Sequence, residues 1–277
     1  MQAMDFGFHR LQGDVEQTER VTVTLTVFGK TVTQDVEVPS GPTLSRRMLP
    51  VFQSLAHTLI DHAVAREQRA GNSISCKRGC GVCCQQLVPI PPAEAHAIAA
   101  LVEALPEPQR SGVRARLAEA RERLEASGLA ARLREQVWND DDDSSYNTLA
   151  LDYFALHIAC PFLDDEGACA IYPDRPVVCR EFLVISTAED CSSPAPGKVR
   201  AIPLPGQVSR ALARLDPLGG KPGAPWTPLT LAVEWSVAHP EGKPDRTGLE
   251  VIKAFFEREK QSAEVAPRTR KKRRGRR

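Results

Sequence analysis

All eight cysteines of this chain fall between positions 76 and 191, and no other feature limits the fold as strongly. The first group is Cys76, Cys80, Cys83 and Cys84; the second is Cys160, Cys169 and Cys179, with Cys191 following. Eight in 277 residues is about 3%, far below the roughly 8–10% of a small disulfide scaffold. Met1 to Arg10 carries Asp5, His9 and Arg10 and no apolar run, so no secretory signal is read there. No stretch approaches the roughly 20 apolar residues of a membrane span. A cytoplasmic location is the default expectation, and a reducing compartment keeps thiols free. Clustered free thiols point to metal ligation or redox chemistry rather than to bridges.

Cys76-x3-Cys80-x2-Cys83-Cys84 is a tight ligand loop in which Gly79 and Gly81 can supply the positive φ needed to curl sulfurs toward one metal. All-sulfur sites select zinc or an iron–sulfur cluster. In an extended segment, neighbours point to opposite faces, so Cys83 and Cys84 joining one zinc is awkward. One of them then serves a second site, a multi-iron cluster or the packing. In the second group, Asp165-Glu166-Gly167 is a turn signal that brings Cys160 and Cys169 together, while Pro173 and Pro176 carry the chain round to Cys179. Neither group alone makes a clean four-ligand site without both Cys83 and Cys84, so the two groups are expected to converge on one region. Arg175 and Arg180 have two readings of equal weight: charge-assisted bonds to thiolate sulfur, or surface pairing with Asp164, Asp165 or Glu181.

Around this centre, residues 21–38 read as a β-hairpin turning at Gly29-Lys30, with Val27 opposite Val32, Val23 opposite Val36 and Val21 opposite Val38. Its apolar face should cover the next helix, Pro50 to Ala70, which carries a Val51, Leu55, Leu59, Ala63 stripe and stops at Gly71-Asn72. Pro91-Pro92 opens a helix to about Leu105, and residues 108–138 read as one or two exposed helices broken near Ser127-Gly128. Asn139–Ser145 reads as a solvated connector, followed by a helix through Tyr146–His157. Short helices are expected near 206–215, 228–238 and 247–260, with a disordered tail after Ala266. The fold class is therefore α+β, mostly helical, with an N-terminal hairpin and an irregular cysteine-rich metal-binding centre. The expected divisions are 1–72 for hairpin and helix, 73–200 for the cysteine cluster, 201–262 for C-terminal helices and 263–277 for the tail.

The segments SCKRGCGVCCQQLVPIPPAEA and CPFLDDEGACAIYPDRPVVCREFLVIS, with Cys191, resemble the bacterial YkgJ-type cysteine-cluster proteins. That family is described as zinc- or iron-chelating and distantly resembles flagellin lysine N-methylases. The likeness runs from about Ile74 to Cys191 and implies metal binding at all eight cysteines while leaving the reaction open. The Cys76-x3-Cys80-x2-Cys83 spacing is also that of the radical-SAM motif. Here, however, Val82 stands where an aromatic is usual, and the chain downstream does not read as repeated βα units.

The remaining signals are weaker. His157 reads as the polar end of a helix rather than a ligand. His57 and His62 stand five apart and miss the i, i+4 face of a zincin pair. Asp140–Asp143 lacks the alternation of a calcium loop. The last ten residues, Arg268–Arg277, hold eight Lys or Arg; taking these from the net +1 leaves −7 for the rest. Such a tail can contact nucleic acid or another anionic surface, or simply stay solvated. The leading functional expectation is an iron–sulfur cluster supporting redox or group-transfer chemistry. The alternative is a structural zinc module that acts by binding a partner.

Overall fold

The computed structural model describes residues 17–134, 137–138, 143–193, 197–215 and 224–264. The N-terminal stretch, residues 139–142 of the acidic connector and the basic tail lie outside the described residues. The fold is α+β, helix-dominated, with the expected hairpin at its start.

Strands β1 (Thr18–Val27) and β2 (Lys30–Pro39) pair antiparallel, Leu25 opposite Val32 and Val21 opposite Val36. The turn is Phe28-Gly29, one residue earlier than the sequence suggests. Both residues have positive φ, 48° and 78°, the combination of a type I′ turn, whose twist matches the strands. Every pairing accordingly slides by two residues. A slip of two keeps each side chain on its face, so Val23, Leu25, Val27, Val36 and Val38 are still buried together, with Thr22, Thr24 and Thr26 outside.

After the two-residue strand β3 (Pro42–Thr43), α1 (Leu49–Arg69) begins with Pro50 in its first turn and ends at Gly71, φ 83°. Its stripe Val51, Phe52, Leu55, Leu59 packs on the hairpin as expected. Next come β4 (Pro89–Ile90) and α2 (Pro92–Ala104). Helices α3 (Gln109–Ala126) and α4 (Leu129–Arg134) break at Ser127-Gly128. They are not simply exposed: Val113, Leu117, Ala120, Leu124 and Leu133 form a buried stripe. That stripe is diluted in sequence by seven arginines between 110 and 134, most of them on the outer surface. After β5 (Val137–Trp138), α5 (Asp143–Ala155) starts inside the acidic run.

The last third contains α6 (Val177–Glu181), α7 (Ala188–Ser192), α8 (Val208–Ala213), β6 (Ala224–Pro225), β7 (Thr227–Pro228), α9 (Ala232–Ala238), β8 (Arg246–Thr247) and α10 (Gly248–Glu264). The pairs β3–β8, β4–β7 and β5–β6 each span two residues and join segments more than 80 positions apart. Nothing in such short stretches announces a strand. Among the described residues no helix is long and apolar enough to cross a membrane.

Three apolar clusters form the interior. One joins the hairpin, α1, α8 and α10, with Phe52 and Phe255 rings 4.8 Å apart. A second gathers the end of α3, α4, α5 and Trp226; a third gathers α2, the start of α3, Leu229 and Ala232. The cysteine loops are pinned among them by apolar neighbours. Leu87 and Ile158 sit in the second cluster, Phe162 and Ile171 in the third, and Val177 in the first. Each cysteine loop is thereby held by residues two to four positions from a cysteine, which sets the framework for a site made of irregular backbone.

Candidate metal centre

The first cysteine loop is a run of turns rather than an extended strand. Cys80 N–H bonds the Lys77 carbonyl at 3.1 Å, Cys84 N–H that of Gly81 at 2.9 Å, and Gln86 N–H that of Cys83 at 3.1 Å. The opposite-faces limit on Cys83 and Cys84 therefore does not apply. Both line one cavity, and their side chains hydrogen-bond each other. Gly79 has the expected positive φ of 85°, whereas Gly81 does something else: a Cβ there would collide with the Gly167 carbonyl oxygen. The absent side chain lets the first loop press against the Asp164–Gly167 turn of the second.

That turn is closed by Asp164, whose carboxylate accepts from Ala168 N–H at 2.7 Å and Glu166 N–H at 3.1 Å. A bridge between Leu163 and Cys169 completes it. The backbone amides two residues on, Phe162 and Ile171 respectively, act on the Cys160 and Cys169 sulfurs against the effect of burial. Amides aimed at sulfur stabilise thiolate and are a lever on cluster potential. Cys160 N–H also bonds the Cys84 carbonyl at 2.6 Å, stitching the two groups together directly.

The result is one cavity of about 450 Å³, lined by Cys80, Cys83, Cys84, Cys160, Cys169 and Cys179. Two groups some 80 residues apart in sequence thus face one space. Cys76 and Cys191 lie outside its lining. Cys76 accepts from Val184 N–H at 3.4 Å, and buried Cys191 on α7 is acted on by the thiols of Cys76, Cys83 and Cys80. All eight are free thiols.

Burial raises the Cys76, Cys169 and Cys191 thiols above their usual range and pushes Cys160 to about 12. Cys179 is raised strongly, also by burial. Cys83 is raised first by its bond to Cys84 and then by burial. Arg175 is the cation opposing these shifts at Cys76, Cys83, Cys169 and Cys179. Arg180 joins it at Cys169 and Arg116 acts on Cys160, yet burial still outweighs them, and a metal cation bound here would favour the thiolates further. The donor set is soft and matches zinc or iron–sulfur chemistry. Among the described residues no three Cys, His, Asp or Glu side chains already converge on one ion position.

Arg175 and Arg180 do different work from each other, and neither matches the surface-pairing reading. Arg180 is buried; its Nε bonds the Arg175 carbonyl at 3.0 Å, its Nη2 bonds the Pro173 carbonyl, and its Nη1 meets His57 Nε2 of α1 at 3.1 Å. It clamps the Pro173–Arg175 turn against α1. Arg175 lies over the Tyr172 ring at 4.2 Å and lines the cavity. His157 has φ 48° and donates its N–H to the Phe154 carbonyl, ending α5 as expected.

Two carboxylates support the loops in roles that the sequence reading did not give them. Glu94 is 2% exposed, and its carboxyl accepts from Val177 N–H at 2.7 Å, holding the start of α6, which carries Cys179. Burial raises it to about 7. Glu181, at the other end of α6, accepts from Val208 N–H at 2.6 Å and Ser209 Oγ at 2.5 Å and so caps α8. A lone acid after Pro91-Pro92, on a stripe otherwise made of Ala and Ile, was the available signal for Glu94. Glu181, read from the sequence as a surface partner for Arg175 or Arg180, instead accepts from the start of α8.

The span 75–194, which contains all eight cysteines, matches the family CxxCxxCC, "Putative zinc- or iron-chelating domain". The segment is similar to that cysteine-cluster family, and the likeness supports metal binding by this part of the chain. No curated protein and no solved structure matches the chain.

Proposed function

We propose that this cavity holds an iron–sulfur cluster, ligated from among Cys80, Cys83, Cys84, Cys160, Cys169 and Cys179, and that Cys76 and Cys191 complete the metal region from outside it. The observation that carries this reading is the single cavity faced by six thiols. A mononuclear zinc takes four ligands and is enclosed by them, whereas a multi-iron core accommodates both the number of thiols and the space. A cluster bound here supplies one-electron redox chemistry or a Lewis-acidic iron. The chain's own residues set its surroundings. Phe162 and Ile171 amides act on the Cys160 and Cys169 sulfurs, Arg175 offsets their charge, and Arg180 with Glu94 holds the turn and the short helix that present Cys179.

Zinc is the second reading, favoured by the bridge-closed Cys160–Cys169 turn, a compact knuckle of the kind a structural ion staples. Metal and acid-labile sulfide analysis of protein purified without air separates the two. About four iron and four sulfide per chain, with broad visible absorbance, is the expected result. One or two zinc without sulfide would replace the cluster by a structural ion.

A further inference from the structure

The lining of the cavity extends well beyond its thiols. Its volume of about 450 Å³ falls in the range of small-molecule pockets. Two elements that contribute no sulfur nonetheless line it. α5 presents Tyr146 and Asn147, and the start of α8 presents Gln207 and Arg210. None of these side chains ligates a thiophilic metal, so their wall faces something else.

The charge on the lining narrows what that is. Lys77, Arg175 and Arg210 are cations on it, against one carboxylate, Glu181, whose oxygens already accept from Val208 and Ser209. Arg175 Nε is buried and has no hydrogen-bond partner. Its guanidinium lies over the Tyr172 ring, and the Arg180 bond to the Arg175 backbone carbonyl fixes the base of the side chain. A guanidinium edge whose Nε–H lacks a partner suits an oxyanion bidentately. Leu87, Val88, Ile171 and Leu229 supply an apolar floor.

We propose that the cavity binds a small organic oxyanion, a carboxylate or a phosphate monoester on an apolar body, with Arg175 as its anchor and the α5–α8 wall around the body. The proposal rests on the metal reading only for the ligand's neighbour, since the pocket and its cations are features of the protein itself.

Calorimetric titration of the full-length, metal-loaded protein tests it with three probes: benzoate, phenyl phosphate and, as the neutral control, benzyl alcohol. Binding of benzoate or phenyl phosphate without benzyl alcohol is expected, and which acid binds tells carboxylate from phosphate. Arg175→Gln should weaken that binding about tenfold or more and Arg175→Lys less, the loss typical of a charge-assisted bond. The visible spectrum should shift in both, because Arg175 also faces the thiolates, so oxyanion affinity is the readout that decides. The exposed Asn147→Trp variant, which fills the mouth, should abolish binding while retaining metal and carries the test if Arg175→Gln does not fold. Equal binding of benzyl alcohol, no binding of either acid, or an Arg175→Gln variant within twofold of the parent overturns the proposal. So does a variant that alters the metal spectrum but not oxyanion affinity, since Arg175 would then serve the thiolates alone. Arg175-dependent binding in protein that retains no metal would uphold the oxyanion site and remove the metal reading.

Discussion

The hairpin core and the cysteine cavity are built on opposite principles. In the first, ten-residue strands and a 21-residue helix bury regular apolar stripes, and Val38, Met48 and Phe52 are wholly enclosed. Burial of that kind is its own driving force, roughly 25 cal/mol per Å² of apolar surface. In the second, the backbone is turns and one five-residue helix, and the buried groups are thiols that burial alone disfavours as thiolates. One region therefore folds because of what it excludes, and the other is completed by what it takes in.

The sharpest way to break this contrast is to remove the metal. Chelation, or Cys160→Ser with Cys179→Ser, should cause the largest change, because a structural metal's binding energy is folding energy. Hydrogen exchange should show residues 75–86 and 158–184 losing protection while β1, β2 and α1 keep theirs. Uniform loss across both regions would mean that they are one cooperative unit.

The converse experiment is Phe52→Ala, which opens a cavity against Phe255 and should cost about 3–5 kcal/mol. Thermal unfolding should shift down, while metal per folded chain should stay at the parent value.

Glu94 joins the two regions' logic, since it is a buried acid holding the helix that carries Cys179. Its ordinary pKa is 4.5 and burial lifts it to about 7 in the folded protein. Across that window the unfolded chain has released the proton and the folded chain still holds it, so stability falls as pH rises. The full difference, on the order of 3 kcal/mol, is reached above about pH 7. Glu94→Gln should flatten the slope of melting temperature against pH in that window; an unchanged slope would exclude Glu94 as its source.

The smallest expected effect is Gly81→Ala. The added methyl meets the Gly167 carbonyl and should cost about 1–3 kcal/mol, the range for overpacking. Because it separates the two cysteine loops, metal retention should drop with little change in hairpin protection.

Legibility followed the same divide. The hairpin's two faces, the stripe of α1, the break at Ser127-Gly128 and the helix opening at Pro92 could all be read from periodicity and turn chemistry. Those are local signals that a few residues carry between them. Even the error in the turn, Phe28-Gly29 instead of Gly29-Lys30, left the buried set intact, since β geometry repeats every two residues. The burial of one face of α3 and α4 was obscured by arginines, because composition averages over both sides of a helix.

By itself, the sequence determined that eight thiols are gathered within residues 76–191, that soft-metal chemistry suits them, and that helices and one hairpin surround them. Only the tertiary structure decided that Cys83 and Cys84 share one face, that six thiols line a common cavity and two stand outside it, and that Gly81 is a contact point. It also decided that Glu94, Glu181 and Arg180 hold the loops in place. Which residues carry soft sulfur donors is a property of single positions and is written in the chain. Convergence depends on which carbonyl, amide or apolar cluster each loop meets from more than 80 residues away, and long-range contacts of that kind leave no local pattern to read.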